Sequence, residues 1–309
     1  MDTAMDDLII RCAALEDFDA VLGINDHVYE GLDYLPDCYP RYLTSPHITA
    51  YLAELKGEAV AFCIAHVNDD ATTLVLRAGR VKPTHQKHGI AERLVEFIIK
   101  EERAKHPGLR KRRDIEFASE GKPVKMPLRM VEISRRKLFC FGALTTHIKC
   151  SEIAGVNKIS AADWLSSGTT ATMFPDGVVI NGVPYSILPS NAEQIENESD
   201  LYVSNGTAEL TSGCFSAVTR VRCPRVGLRV LIDIYGRGAA LYNHICCHVN
   251  NTQIKAKELN IGNVFVQLFV DENFPVGELK ENVYRLGLED RKSFFGHSVY
   301  DVLLLEEKL

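Results

Sequence analysis

The segment VKPTHQKHGIA, from Val81 to Ala91, joins a strand-like run to a helix-like run and restricts the fold of the chain more than any other part. The residues that lead into it, Thr72 to Val81, are largely apolar and predict a strand. The residues after it form an apolar stripe at helical spacing, made of Ile90, Leu94, Phe97 and Ile98. Because the first N–H groups of a helix lack partners within it and the helix dipole is positive there, the segment suits an anion.

Gly89 lacks a Cβ at the point where an anion must approach the backbone. The run Gln86-Lys87-His88-Gly89-Ile90-Ala91 resembles the Q/R-x-x-G-x-G/A signature of the GNAT superfamily of N-acetyltransferases. This resemblance implies a pyrophosphate site for acetyl-coenzyme A formed by Gln86, Lys87, His88, Gly89, Ile90 and Ala91. It also implies that the main chain of Gly79, Arg80 and Val81 pairs with the pantetheine arm. The alternative is a tight strand-to-helix turn with Lys87 and His88 in solvent.

Three strand patterns precede the segment and predict an antiparallel meander: Ile48 to Leu55, Ala59 to Val67 and Thr72 to Val81. A first strand is predicted at Leu8 to Arg11, followed by a helix that begins near Glu16. These patterns predict the α/β class, of the α+β kind. The resemblance implies a GNAT acetyltransferase fold, with a mixed, mostly antiparallel sheet flanked by helices.

The run from Tyr29 to Tyr42 contains Pro36 and Pro40, which predicts a shaped loop or short helical turns rather than a regular helix. We expect Tyr29, Tyr34 and Tyr39 of this run to line the pocket for an acceptor or, as the alternative, to pack against the sheet.

Acetyl transfer to an amine requires a group that accepts a proton. The GNAT resemblance leads us to expect a carboxylate on the third meander strand, where this chain has Arg77 instead. The candidates are therefore Glu30 and Asp33 in the tyrosine-rich run and His66 at the end of the second strand. Solvated loop acids, a helix cap and a partly buried histidine are the alternatives.

An acceptor that carries a carboxylate needs a cation, which predicts a role for Arg77, with Arg80 and Arg129 as alternatives. The basic run from Arg110 to Arg113 is a second candidate contact for the coenzyme, through its 3′-phosphate. A solvated basic face is the preferred interpretation of that run.

The length of 309 residues predicts two domains. We expect an acetyltransferase domain over residues 1–150, an irregular connector over 151–205 and a degenerate GNAT-like second lobe over 206–309. The last of these shows strand patterns at Phe215–Arg222, Leu228–Tyr235 and Val264–Val270, with a helix near Ala239–Val249. No phosphate loop follows Tyr235, so we expect no second coenzyme there.

Composition limits the class of partner. A net charge of −6 argues against general binding to nucleic acid or to an anionic membrane. Nine cysteines, without an export signal or a long apolar run, predict a cytoplasmic protein with reduced thiols. His244, Cys247 and His248 share a predicted helical face, but the preferred interpretation is a buried core cluster, and no metal is expected.

Three segments narrow the resemblance to the vertebrate histidine N-acetyltransferases: VYEGLDYLPDCY at Val28–Tyr39, AGRVKP at Ala78–Pro83, and Tyr284–Leu309. The resemblance implies direct acetyl transfer from acetyl-coenzyme A to the amine of a small molecule, with a free amino acid such as histidine as the acceptor. The alternative is a GNAT-like protein without turnover that senses acetyl-coenzyme A or a metabolite. A third option, acetylation of protein termini or lysines, needs a groove that is open at both ends.

Overall fold

The computed structural model describes residues 7–119, 129–149, 153, 155–204, 214–236, 239–292 and 296–309. The chain divides into two compact units. Unit 1 contains Met1–Asp114 and Glu307–Leu309, and unit 2 contains Ile115–Glu306. Within the described ranges, no helix has the length and apolar character needed to cross a membrane.

The described part of unit 1 contains five strands and three α-helices. In chain order these are β1 (Leu8–Cys12), α1 (Phe18–Gly23), α2 (Leu35–Thr44), β2 (Ile48–Leu55), β3 (Glu58–Asn68), β4 (Thr73–Val81), α3 (Ile90–Lys105) and β5 (Lys111–Ser119), whose last five residues belong to unit 2. The strands are ordered β1-β2-β3-β4-β5, and only the β4–β5 pair is parallel. The predicted mixed, mostly antiparallel sheet is confirmed.

The predicted apolar stripe packs α3 onto one face of this sheet. Ile90, Leu94 and Ile98 lie in one buried cluster with residues of β2, β3 and β4. The opposite face carries α1 and α2, where the ring of Tyr39 lies 6.0 Å from that of Phe62. Functional side chains on β3 and β4 therefore face either α3 or the α1–α2 side.

The structure corrects the prediction for the tyrosine-rich run, because α2 is a helix that includes both prolines. Pro36 lies in the first turn, where no N–H is needed, and only Pro40 removes a bond inside the helix. Burial of one face, formed by Leu35, Cys38, Tyr39 and Tyr42, compensates for that loss.

Unit 2 has a longer list of elements. They are β6 (Val131–Leu144), β7 (Val156–Ile159), α4 (Ala161–Ser166), α5 (Gly168–Met173), β8 (Val178–Ile180), β9 (Val183–Tyr185), α6 (Ala192–Glu196), β10 (Asp200–Ser204), β11 (Phe215–Cys223), β12 (Gly227–Tyr235), α7 (Ala239–Glu258), β13 (Asn263–Asp271), α8 (Val276–Arg285), β14 (Glu289–Asp290) and β15 (Val299–Lys308), whose last two residues belong to unit 1. The strand order is β15-β6-β13-β12-β11-β10-β7, with β14 beside β6 and with β8 and β9 as a separate hairpin.

Unit 2 repeats the plan of unit 1. The series β7-β10-β11-β12-α7-β13 has the order and strand directions of β1-β2-β3-β4-α3-β5, including the single parallel pair. The repeat begins at Val156, inside the region expected to be an irregular connector. The expected boundaries at 150 and 205 therefore differ from those of the structure. Hydrophobic periodicity did not reveal the start of the repeat, because its first elements are too short to show a period. Strand β7 has 4 residues, and α4, α5 and α6 have 5 or 6.

The predicted core histidines of α7 are buried and share one hydrogen-bond partner. The hydroxyl oxygen of Ser216 lies 2.6 Å from Nδ1 of His244 and 2.7 Å from Nε2 of His248. Both rings are 0% exposed, and burial lowers the pKa of His244 to about 4 and that of His248 well below its ordinary value. Among the described residues, no three His, Cys, Asp or Glu side chains are placed to hold a metal ion.

We predict that the two buried histidines make unit 2 sensitive to acid. The ordinary pKa of His244 is 6.5 and its folded value is about 4, so between these pH values the unfolded chain binds more protons than the folded protein. The free energy of unfolding should therefore fall as the pH falls, by about 3 kcal/mol for His244 at pH 4. Urea unfolding followed by the fluorescence of Trp164, the single tryptophan, measures this dependence.

The control is a double variant, His244→Gln with His248→Gln, which removes both titrating rings. It retains Asp233, whose pKa burial raises to about 6 and which acts in the opposite direction by taking up a proton in the folded state. Its stability should therefore fall less than that of the wild type as the pH falls from 6.5 to 4. An identical pH dependence in wild type and variant would contradict the assignment.

Candidate active site

The loop between β4 and α3 presents a row of backbone N–H groups. Gly89 caps α3 with φ 76° and ψ 9°, and Lys87 also has a positive φ of 65°. Within the described ranges, the N–H groups of residues 87–91 donate to no protein acceptor. The side chains of Lys87 and His88 are exposed. Five unpaired donors at the N-terminus of a helix of 16 residues, beside two basic side chains, form an anion cradle.

The edge of β4 next to this loop is not paired with β5. The parallel ladder joins Thr73, Leu74 and Val75 of β4 to residues 111–113 and ends there. From Leu76 to Val81, β4 continues without a β5 partner. Gly79, Arg80 and Val81, expected to offer their main chain to a pantetheine arm, lie on this stretch, and Gly79 is exposed. An extended ligand that pairs with β4 fits this edge.

A β-bulge in β4 sets the direction of its side chains. Phe62 faces Arg80 and Ile64 faces Arg77, so Ala78 and Gly79 together face Cys63. Ala78 has φ 53°, in the left-handed region. Because one extra residue shifts the alternation of side chains, Arg77 and Arg80 lie on the same face, the one that carries α1 and α2.

The guanidinium of Arg80 binds the carboxylate of Asp33 in a bidentate pair. Nη1 and Nη2 of Arg80 each donate to one oxygen of Asp33 at 3.1 Å. The Arg80 side chain is 2% exposed and that of Asp33 is 18% exposed. Asp33 also accepts a bond from the N–H of Leu35, the first residue of α2. This pair therefore fastens the segment before α2 to β4.

Arg77 lies in a buried cluster on the same face. Its Nη1 is 3.4 Å from Nδ1 of His66, and its guanidinium carbon is 5.2 Å from the centre of the Tyr42 ring. Because a guanidinium only donates, Nδ1 of His66 is the acceptor, and the ring proton is assigned to Nε2. His66 is 1% exposed and Arg77 is 8% exposed. The cluster brings a cation and a polar ring together beneath α2.

The segment Tyr29-Glu30-Gly31 has three successive positive φ values, 50°, 54° and 95°. Non-glycine residues adopt this conformation at a cost, and such strain is concentrated at functional sites. The side chain of Glu30 is exposed, whereas Tyr29 and Tyr34 are half-buried. These three residues therefore lie where a ligand can reach them.

Other candidate residues have structural partners or lie elsewhere. Tyr39 is buried and its hydroxyl donates to the carbonyl of Ala14 at 2.7 Å, so it packs in the fold. In the basic run, Arg112 pairs with Asp114, and Arg113 lies 4.0 Å from Asp69. Arg129 is exposed and belongs to unit 2.

Sequence reasoning missed Tyr42 and the bulge. The only signal for the bulge was the small pair Ala78-Gly79 between two arginines, since small residues tolerate irregular strand geometry. Tyr42 follows Tyr39 by three residues, which is a helical spacing. The two prolines argued against a helix here, so this spacing was not used.

Two family models match the chain. One, described as the acetyltransferase (GNAT) family, matches residues 18–118, and the other, described as histidine N-acetyltransferase, C-terminal, matches residues 156–271. The first begins at the first residue of α1 and ends in β5. The second runs from the first residue of β7 to the last residue of β13. The first matched range therefore covers the first repeat without β1, and the second covers the whole of the second repeat.

Similar proteins agree with these matches. Histidine N-acetyltransferases of Scomber australasicus and Oreochromis niloticus are each 24% identical over 282 residues, which cover 84% of this chain and 82% of theirs. A solved tandem GNAT protein from the clavulanic acid biosynthesis pathway superposes with a TM-score of 0.56 at 12% identity, and covers 97% of this chain and 98% of its own. The superposition on the tandem GNAT protein shows a shared fold.

We predict that the Asp33–Arg80 pair stabilises unit 1. Replacing either partner leaves a buried, uncompensated charge, so Asp33→Ala and Arg80→Met should each lower the free energy of unfolding by about 3 kcal/mol. The double variant should lose less than the sum of the two. Urea unfolding followed by far-ultraviolet circular dichroism measures the losses. Asp19→Ala, at an exposed position of α1, is the control, and losses that simply add would contradict the coupling.

Proposed function

Since the chain is an acyltransferase of the GNAT superfamily, with a GNAT domain and a histidine N-acetyltransferase C-terminal domain, we propose that its donor is acetyl-coenzyme A and its acceptor a small-molecule amine. The acceptor that we favour is a free amino acid such as histidine. The row of unpaired N–H groups at residues 87–91 carries the proposal. Relatives named histidine N-acetyltransferase over most of the chain support the acceptor class.

Residues of unit 1 fit the coenzyme by their chemistry. The N–H groups from Lys87 to Ala91, the side chain of Lys87 and the positive end of α3 would hold the pyrophosphate. The edge of β4 at Gly79, Arg80 and Val81 would pair with the pantetheine amides. The coenzyme would supply a thioester. The amine nitrogen then bonds to the acetyl carbon as the C–S bond breaks, and coenzyme A leaves as the thiol, with the proton that the amine gives up balancing the charge.

The acceptor is assigned to the α1–α2 side of the sheet. Both Nη atoms of Arg80 donate to the carboxylate of Asp33, so we assign recognition of an acceptor carboxylate to Arg77, the other arginine on this face of β4. Tyr42 and His66 fix the orientation of Arg77. The half-buried rings of Tyr29 and Tyr34 supply apolar walls for the acceptor.

We assign Glu30 as the general base that accepts the proton of the amine. Both oxygens of Asp33 accept bonds from Arg80, and His66 uses Nδ1 to accept from Arg77 and carries its proton on Nε2. Glu30 is an exposed carboxylate held in a strained backbone, and it can take the proton directly or through water. Asp33 and His66 then act as positioning residues.

The proposed compartment is the cytoplasm. All eight cysteines for which the structure gives a state are free thiols, as a reducing compartment favours.

We predict that Gly89→Glu abolishes acetyl transfer. The substitution places a side chain at a left-handed φ and adds a negative charge to the anion cradle, so coenzyme binding should be lost. Release of coenzyme A thiol, with a panel of free amino acids including histidine, measures the activity. The control is Gly296→Glu, which has a φ of 80° and no atom within 4 Å of a new Cβ. Coenzyme binding without turnover by the wild type would favour a sensor instead.

We predict that Arg77 recognises the carboxylate of the acceptor. The wild type should prefer a free amino acid to its methyl ester by a factor of about 10 to 100 in kcat/KM, the range of one charge-assisted pair. Arg77→Met should lose this preference, mainly through a higher KM for the free acid. If the variant retains the full preference for the free acid over the ester, the assignment of Arg77 is wrong.

A further inference from the structure

The two repeats differ at the place where a coenzyme would pair with the sheet. In unit 2 the parallel ladder between β12 and β13 joins six residues, Leu228–Asp233 with Val264–Phe269. In unit 1 the corresponding ladder joins three. The pairing of β12 therefore continues to within two residues of its end at Tyr235, and no unpaired edge like that of Leu76–Val81 remains.

Arg136 of β6 closes the end of the β12–β13 ladder. Its Nη2 donates to the carbonyl of Ile234 in β12 and to that of Phe269 in β13, both at 2.8 Å. Its Nη1 donates to Asp233 at 2.9 Å and to the hydroxyl of Tyr235 at 3.1 Å. Arg136 is 8% exposed. The guanidinium thus donates to main-chain carbonyls on both strands. An extended ligand at this place would need the same carbonyls as hydrogen-bond acceptors.

The β8–β9 hairpin covers the same end of β12. The hydroxyl of Tyr235 accepts a bond from the N–H of Val179 at 2.7 Å and donates to its carbonyl at 3.0 Å. Asp233 accepts a bond from the N–H of Asn181 at 3.0 Å. Two alternate side chains of β12 therefore bind main-chain groups of the hairpin, one in β8 and one in its turn.

Charge and packing fix this arrangement. The guanidinium of Arg136 lies 4.1 Å from the centre of the Tyr235 ring and compensates the buried carboxylate of Asp233. Tyr235 also packs edge-on against Phe174, at 5.3 Å between ring centres. Removing Arg136 from this place would leave Asp233 buried without its cation, which is strongly unfavourable.

We propose that Arg136 and the β8–β9 hairpin are internal occupants of unit 2, in the place that a coenzyme would take, so that the chain binds one coenzyme. The inference rests on the proposed function, because unit 1 supplies that single site. The sequence predicted that the second lobe binds no coenzyme, and the proposal adds which residues occupy the corresponding position.

Titration calorimetry with coenzyme A tests the number of sites. The wild type should bind one equivalent per chain, and Gly89→Glu should bind none. Two equivalents for the wild type, with one of them retained by Gly89→Glu, would overturn the inference while leaving the proposed function in place. One equivalent for the wild type that Gly89→Glu retains in full would contradict both the inference and the proposed function. No binding by the wild type would instead contradict the proposed function, and would leave the second unit without a coenzyme site, as inferred.

Hydrogen exchange at single residues tests the hairpin as the occupant. Tyr235→Phe removes the acceptor of the Val179 N–H, so exchange at Val179 should become about tenfold faster, the effect of one hydrogen bond. The amides of β12 and β13 should keep their rates, which reports that the sheet remains folded. The control is Tyr202→Phe, on β10 of the same unit. Unchanged exchange at Val179 in Tyr235→Phe would show that the hairpin is not held in this way.

Discussion

The bulge in β4 is the constraint on which the rest of unit 1 depends. One extra residue opposite Cys63 shifts the alternation of side chains, so Arg80 joins Arg77 on the face of α1 and α2. From that position Arg80 fastens Asp33 and the segment before α2, while Arg77 meets His66 and Tyr42. The same shift returns Val81 to the α3 side, where it packs with the α3 cluster as the anion loop begins.

The loop and α3 could be predicted because both depend on local signals. Four apolar residues at helical spacing and one glycine specify a helix and the left-handed residue that caps it. The meander was equally readable, since each strand alternates or is continuously apolar and ends at a turn. These features need no knowledge of distant contacts, and they are also the features that carry the family resemblance.

The side-chain network could not be predicted, because it depends on contacts between distant residues. Strict alternation along β4 places Arg77 and Val81 on one face and Arg80 on the other, and the bulge reverses this. Asp33 and Arg80 are 47 residues apart, and no pattern in the sequence joins them. The start of the second repeat was predicted too late in the chain. Its first strand and its first helices are shorter than the roughly 11 residues over which hydrophobic periodicity can be recognised.

The unpaired edge of β4 has a consequence for how the two units respond to heat. In unit 2 the central parallel ladder joins six residue pairs of the chain itself. Unit 1 leaves six residues of β4 without a β5 partner and a helix terminus without acceptors. A ligand bound there adds its free energy to the folded state by mass action. Under the proposed function this ligand is the donor coenzyme, so the thermal stability of unit 1 should rise with the amount of donor present.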